Sequence, residues 1–161
     1  MAKIPDYPVR KITTSSRSIT GAMPDGDRYE SALERDLMII LSFDHNVKNF
    51  VPQPLKVPYM DHEGKNRLYT PDIFIEYRTD ILPAKNMRNI LGEVKYKDEV
   101  CKHFKEFKPK FKAAMRLAKE NGWAFKIFTE DVIRIPYLFN ANFLKRYRDD
   151  YPTPELETKR M

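Results

Sequence analysis

Gly92-Glu93-Val94-Lys95 is the stretch that decides how this chain folds and where its chemistry lies. Side chains alternate across a β-strand, so Glu93 and Lys95 share one face of the strand while Val94 points into the core. The surrounding pattern predicts a strand over residues 89–96. An acidic and a basic side chain two residues apart on one strand face are a possible reaction site.

A second acidic residue enters a strand upstream, in Tyr69-Thr70-Pro71-Asp72. Asp is disfavoured inside strands, yet Asp72 directly precedes an apolar stretch that is typical of one. Together with the Glu-x-Lys pair it supplies what metal-dependent phosphodiester cleavage needs. Carboxylates hold Mg²⁺, and a lysine orients the attacking water or steadies the pentacovalent phosphate. Taken alone, each signal is equally typical of a strand-entry turn or of an exposed cross-strand ion pair.

A third carboxylate is predicted on the helix that opens the domain. Asp27 and Glu30 have the spacing of a capping box, and the apolar stripe predicts a helix that runs to about Phe43. Glu34 borders this stripe and would reach the sheet edge that carries the two strand carboxylates. Glu30 lies one turn earlier on nearly the same face and competes with Glu34, but its capping role ranks it second.

The order of the predicted elements is helix, three strands, helix, strand, helix. The three strands cover residues 50–59, 68–77 and 89–96, and the first of them is rich in proline, which makes it an edge strand or an irregular one. Pro109 is predicted to open the second helix and Gly122 to close it. A fourth strand follows over residues 123–128, and Asn140 is predicted to cap a last short helix. The fold class is therefore α/β, a mixed sheet of about four strands flanked by helices, with the fourth strand parallel to the third.

The charge balance suits a polyanionic partner such as DNA. The chain carries 29 Lys+Arg against 23 Asp+Glu, a formal charge of +6. We divide it into a basic arm over residues 1–26, a domain over 27–150 and a polar tail over 151–161. The arm could equally be a strap packed over the domain, and the basic helix a solvated face. The candidate DNA-binding residues are Arg10, Lys11, Arg17, Lys97, Lys108, Lys110, Lys112 and Arg116.

Other classes of protein are excluded by what the sequence lacks. The single Cys101 rules out an internal disulfide and fits a reducing compartment. No apolar run has membrane-spanning length, and the N-terminus lacks the apolar region of a signal peptide. We therefore expect a cytoplasmic protein with no membrane contact. There is no glycine-rich phosphate loop, so no nucleotide cofactor is expected, and the scattered histidines do not have zinc-ligand spacing.

The combination of Glu34, Asp72, Glu93 and Lys95 resembles the PD-(D/E)XK nuclease pattern. The longer similarity is to the catalytic N-terminal domain of TnsA, the endonuclease subunit of heteromeric transposases, and it covers nearly the whole chain. Its motifs occur here in the family's order: Arg17-Ser18-Ile19-Thr20-Gly21, Tyr29-Glu30-Ser31-Ala32-Leu33-Glu34-Arg35-Asp36, Pro52-Gln53-Pro54, Tyr69-Thr70-Pro71-Asp72, Gly92-Glu93-Val94-Lys95 and residues 118–134.

This resemblance implies a restriction-endonuclease-like fold and dependence on Mg²⁺, with Mn²⁺ as a substitute. It also implies hydrolysis of DNA to 5′-phosphate and 3′-hydroxyl ends, in a bacterial or phage-infected cell. On the family's pattern Glu34, Asp72, Glu93 and the Val94 carbonyl bind metal, and Lys95 is catalytic.

Three functional hypotheses stay open at this point. A TnsA-like protein would cut transposon ends together with transposase partner subunits, although TnsA proteins usually carry a further C-terminal domain. A stand-alone phage-type nuclease, either a Holliday-junction resolvase acting as a homodimer or a head-completion nuclease, has similar motifs and size. The third hypothesis is a catalytically inactive DNA-binding or virion structural protein that keeps the fold.

Overall fold

The computed structural model describes residues 26–150, with side chains described for residues 32–142 and for Leu144. The predicted arm with Arg10, Lys11 and Arg17 therefore lies outside the described residues, as do the tail and the side chain of Glu30. The division into arm, domain and tail stays a prediction.

Five α-helices, six β-strands and one short 3₁₀-helix make up the described part of the chain. In chain order they are α1 (Gly26–Phe43), β1 (Val47–Pro52), β2 (Val57–Met60), β3 (Asn66–Tyr69), β4 (Ile73–Tyr77), the 3₁₀-helix (Ala84–Asn86), β5 (Ile90–Val94), α2 (Lys97–Lys102), α3 (Phe104–Glu120), β6 (Ala124–Phe128), α4 (Glu130–Ile133) and α5 (Pro136–Asp150). No helix within residues 26–150 is both long enough and apolar enough to cross a membrane.

Four strands form one mixed sheet in the order β1-β4-β5-β6. β4 runs antiparallel to β1 and β5, while β6 is parallel to β5 and is reached through α3. Strands β2 and β3 pair separately as an antiparallel hairpin. The predicted four-stranded mixed sheet with a parallel final strand is confirmed, and β1, which ends at Pro52, is an edge strand.

Two of the predicted strands are each broken in two, and the predictions of single strands over residues 50–59 and 68–77 are wrong. The first break falls at Gln53, whose φ of 47° is in the left-handed region between two prolines that lack an N–H donor. The second falls at residues 70–72, where the chain leaves the hairpin and enters the sheet. The local pattern is apolar on both sides of each break, so periodicity does not reveal it.

The start of α3 was also predicted wrongly, because Pro109 lies inside the helix and not at its first position. A proline removes the helical hydrogen bond to the carbonyl four residues earlier, here that of Lys105. The imidazole Nε2 of His62, in the turn between β2 and β3, hydrogen-bonds this carbonyl instead. The hairpin therefore supplies the partner that lets α3 continue through its proline.

The last helix begins earlier than predicted. Pro136 occupies its first position, where a missing N–H costs nothing, and Asn140 lies inside the helix. The prediction of Asn140 as the cap is therefore wrong, whereas Gly122 does follow the end of α3, with a φ of 74°.

The sheet is covered on both sides, by different elements. On the α1 face, α1 packs through Leu33, Leu37 and Leu41 against Ile75 and Val94. On the α3 face, α3 and the hairpin pack against Phe74 and Leu91 in a second cluster that also contains Phe111 and Trp123. Alternation along β5 therefore sends Val94 to the α1 face and Glu93 to the α3 face.

Gly92 allows the two central strands to pack this closely. A Cβ atom at this position would lie 2.8 Å from Cγ2 of Ile73 and 2.9 Å from Cε2 of Phe128. Contacts this short do not occur between real side chains, so a larger residue would have to displace the Ile73 and Phe128 side chains or strain β5. The glycine next to Glu93 has a packing role.

Candidate active site

Asp72 directly precedes β4 and lies beside the end of the neighbouring strand β5. Its backbone N–H donates to the Gly92 carbonyl at 3.0 Å, which extends the pairing of the two strands. Its carboxylate Oδ2 accepts the backbone N–H of Val94 at 2.7 Å. This bond fixes the orientation of the carboxylate beside the end of β5.

Glu93 directly precedes Val94 on β5, and its side chain points to the α3 face. It is 2% exposed. Its Oε2 accepts the hydroxyl hydrogen of the buried Tyr69, at the end of β3. Burial, together with the nearby negative charge of Asp72, raises the pKa of Glu93 to about 8, although Lys110, Tyr69 and Lys95 favour the ionised form. Burial and the Glu93 charge also raise the pKa of Tyr69, so its hydroxyl stays a donor.

Lys95 lies on the same strand face as Glu93 and is 8% exposed. Its Nζ is 3.8 Å from Glu93 Oε1 and 3.9 Å from Glu99 Oε1, one turn into α2. It also lies 5.2 Å from the centre of the Phe107 ring, within the range of a cation–π contact. A buried lysine needs such partners because desolvation disfavours its charge.

Within the site, the observed position of Lys110 differs most from the position predicted from the sequence. The sequence places it among the exposed lysines of a basic helix, whereas its Nζ lies 3.6 Å from Glu93 Oε1 with the side chain 19% exposed. The rings of Tyr69, Phe107 and Phe111 surround the ammonium group, with centroids at 4.8, 4.6 and 5.5 Å. Lys110 therefore belongs to the candidate site around Glu93 and not to the outer surface of the helix, and its contact with DNA stays a prediction.

Glu34 is half-buried on α1, directly after the fully buried Leu33. Helix α1 packs on the sheet face opposite to Glu93. Among the described side chains no group of three or more His, Cys, Asp or Glu residues is arranged to hold a metal ion. The fold brings Asp72 and Glu93 together, and the role of Glu34 as a third metal ligand stays a prediction.

The remaining candidate DNA-binding residues of the described part lie at the surface. Lys108, Lys112 and Arg116 are exposed on α3. Lys97 is exposed at the start of α2, but its Nζ is 3.2 Å from Asp131 Oδ2, so part of its charge is neutralised within the protein. Their contacts with DNA stay a prediction.

The chemistry of this site fits a hard divalent cation. Mg²⁺ takes oxygen ligands and is commonly held by one or two carboxylates while it keeps several waters. Asp72 and Glu93 provide two carboxylates, and burial of Glu93, followed by repulsion from Asp72, raises the pKa of Glu93. A bound cation would relieve this repulsion.

Three participants were missed by the analysis of the sequence. Tyr69 was quoted only as part of a motif, Glu99 was not considered, and Lys110 was assigned to the surface. For Lys110 a signal did exist: in a helix that starts before Pro109, it falls one turn after Phe107 and shares that side of the helix. The wrong start of α3 concealed this relation. Tyr69 and Glu99 have no local signal, because their roles arise from contacts between separate elements.

Comparison with known proteins places the chain in a family. The sequence model of the family described as the TnsA-like endonuclease N-terminal domain matches residues 44–130, more than half of the chain. The matched region runs from the end of α1 to the start of α4 and contains Asp72, Glu93 and Lys95. No curated protein matches the chain.

Proposed function

We propose a function from the premise that this chain belongs to the TnsA-like endonuclease N-terminal family, whose fold is restriction-endonuclease-like and whose members are nucleases. The chain is, on this proposal, a Mg²⁺-dependent DNA endonuclease that hydrolyses phosphodiester bonds to 5′-phosphate and 3′-hydroxyl ends. Mn²⁺ would substitute for Mg²⁺. The observation that carries the proposal is the convergence of the Asp72 and Glu93 carboxylates with the Lys95 ammonium under α3.

The metal would be held by Asp72, Glu93 and the Val94 carbonyl, with Glu34 as a further candidate ligand. When bound, Mg²⁺ supplies Lewis-acid activation of water and neutralises negative charge on the phosphate. The chain's own contribution is the fixed orientation of both carboxylates. The Val94 N–H holds that of Asp72, and the Tyr69 hydroxyl holds that of Glu93.

Lys95 would act on the reacting phosphate or on the attacking water. Its ammonium is held between Glu93 and Glu99 and is nearly excluded from solvent, where a positive charge stabilises a developing negative charge more strongly than in water. The exposed Lys108, Lys112 and Arg116 would bind neighbouring phosphates of the DNA, and Arg10, Lys11, Arg17 and Lys97 would add further contacts.

The family supports the cleavage of transposon ends with partner subunits as the biological reaction. The principal alternative is a stand-alone phage-type nuclease that resolves four-way junctions as a homodimer or trims DNA ends. A catalytically inactive DNA-binding protein is the third hypothesis. Both carboxylates and the lysine remain in suitable positions, which argues against it.

One cleavage assay separates these hypotheses. Purified wild-type protein and Lys95→Ala would be incubated with a linear duplex, a nicked circle and a four-way junction in Mg²⁺ or Mn²⁺. Metal binding would be measured in parallel by titration calorimetry. We expect metal binding and, on the substrates that are cut, products with 5′-phosphate ends from the wild type alone. Lys95→Ala reports cleavage by contaminating nucleases.

The substrate pattern then decides the biological role. Junction-selective cutting would support the stand-alone resolvase. Metal binding without cleavage of any substrate would support a subunit that needs its partners to cut. Absence of both metal binding and cleavage would contradict the proposed nuclease function.

A further inference from the structure

Lys110 differs from the other lysines of α3 in both burial and partners. Lys108 and Lys112, two residues away on either side, are exposed. The Lys110 side chain is 19% exposed, and its ammonium lies against the faces of three aromatic rings. Rings hold an ammonium group by electrostatic attraction without fixing it in one hydrogen-bonded geometry, so the group can shift along them.

The two lysines of the site share a single oxygen of Glu93. Oε1 lies 3.6 Å from Lys110 Nζ and 3.8 Å from Lys95 Nζ, while Oε2 accepts the Tyr69 hydroxyl. Both distances to the lysines exceed hydrogen-bonding range, so the attraction is that of charge alone. A cation bound to Glu93 would compete directly with these two ammonium groups.

The two lysines are unequal in what else holds them. Lys95 has a second carboxylate, Glu99, at 3.9 Å, and it is the more deeply buried of the two. Glu93 is the only acidic partner of Lys110 among residues 32–142. When a divalent cation takes up the charge of Glu93, Lys110 therefore loses its counter-ion, and its long, flexible stem allows the ammonium to move.

We propose that Lys110 is a phosphate-binding residue of the active site that exchanges Glu93 for a phosphate oxygen of the DNA when the divalent cation is bound. The inference rests on the proposed nuclease function and adds to it a second lysine with a defined partner in each state. In the state without metal, Lys110 acts as the counter-ion of Glu93. In the state with metal and DNA, the phosphate replaces that carboxylate.

The test uses Lys110→Met, which keeps the length and the apolar stem but removes the charge. Lys119→Met, at an exposed position of the same helix, is the matched control. Mn²⁺ affinity without DNA would be measured by electron paramagnetic resonance. At a pH high enough to ionise Glu93 in both proteins, we expect Lys110→Met to bind Mn²⁺ roughly tenfold more tightly than wild type, since a competing positive charge is gone. Lys119→Met should match the wild type.

DNA binding provides the second readout. In Ca²⁺, the affinity for a short duplex would be measured against salt concentration, and the slope of log affinity against log salt should fall by about one for Lys110→Met. Lys110→Arg should keep most of the slope because it keeps the charge. A gain in metal affinity combined with a loss of phosphate contact is the signature of the exchange, and a purely structural lysine would not produce it.

The possible failures are distinguishable. If the wild type binds metal but Lys110→Met changes neither metal affinity nor the salt slope, the exchange is contradicted and the nuclease proposal stands. Weaker metal binding in Lys110→Met also contradicts the exchange. If the wild type binds no metal and cuts no DNA, both proposals fall. If the methionine variant does not fold, the same measurements on Lys110→Gln decide between these outcomes.

Discussion

The two faces of the sheet are formed by the same strands but bury different kinds of side chain. On the α1 face, Leu33, Ile75 and Val94 are at most 1% exposed and pack as an apolar core. On the α3 face, an aromatic cluster surrounds Glu93 and Lys95, the only two charged side chains that are buried in the described part of the chain. Burying a charge is unfavourable unless it has partners, and on this face aromatic rings, a tyrosine hydroxyl and two lysines provide them. The apolar core on the other face requires only close packing.

On the proposed function, stability and chemistry are therefore carried by opposite sides of β5. Adjacent residues of one strand point in opposite directions, so Val94 contributes to the core and Glu93 to the site. Substitutions on the two faces should therefore separate loss of folding from loss of activity.

The largest expected effect is on cleavage, from Asp72→Asn on the α3 side. The asparagine oxygen can still accept the Val94 N–H, so the fold should be kept, but the negative charge that holds the metal is lost. We expect the cleavage rate to fall about 10³-fold, equivalent to about 4 kcal/mol. Glu76→Gln, a half-exposed carboxylate on β4 that pairs with Lys48, is the matched control and should cut normally. Activity near the wild-type level in Asp72→Asn would remove this residue from the site.

On the α1 face, Leu33→Ala should produce the largest loss of stability. Leu33 is 0% exposed, and truncation of a buried leucine leaves a cavity that costs about 3 kcal/mol. Urea denaturation would measure it, with Leu68→Ala, at a 67% exposed position, as the control. Well below its melting temperature the Leu33→Ala protein should still bind metal with wild-type affinity. Weaker metal binding in the folded variant would mean that the two faces are coupled, as they would be if Glu34 on α1 were a metal ligand.

Gly92→Ala tests the boundary between the faces. Its new methyl group would collide with Ile73 and Phe128 on the α1 side. The next residue, Glu93, belongs to the site on the other face. We expect a stability loss of about 2 kcal/mol by thermal denaturation, together with weaker metal binding because β5 must shift. An unchanged melting temperature would show that the strands can move apart without cost.

The smallest expected effect concerns the support of α3 by the hairpin. His62→Ala should destabilise the protein by about 0.5 to 1 kcal/mol, since it leaves the Lys105 carbonyl without the imidazole donor. In a Pro109→Ala background the helix regains its own N–H donor at this position, so the same histidine substitution should cost almost nothing. Denaturation of the four proteins of this cycle measures the coupling. Additive effects would contradict the exchange of donors.

Much of the fold could be predicted because its signals are local. The apolar stripe of α1, the alternation of β5 and the parallel β6 follow from periodicity and from the handedness of crossovers. The errors fall where tertiary contacts overrule local preference. The prediction started α3 at Pro109 because proline is favoured at the first position of a helix. Here His62, far away in sequence, replaces the lost hydrogen bond.

The candidate site was likewise predicted only in part from the sequence. Asp72, Glu93 and Lys95 were identified from residue type and spacing, and the family match covers all three. Lys110 was assigned to DNA binding on the surface of the helix, because a lysine among lysines is typical of a solvated face. Its true position depends on the exact start of α3 and on three rings from two elements.

The sequence alone determined the chemical inventory of this protein: a strand that carries Glu93 and Lys95, an aspartate at the entrance to the preceding strand, and the mixed α/β order of elements. These follow from alternation and spacing along a single chain. Only the tertiary structure decided which groups share the buried space around Glu93. Tyr69 comes from the hairpin, Glu99 from α2 and Lys110 from α3, and contacts between separate elements leave no period in the sequence.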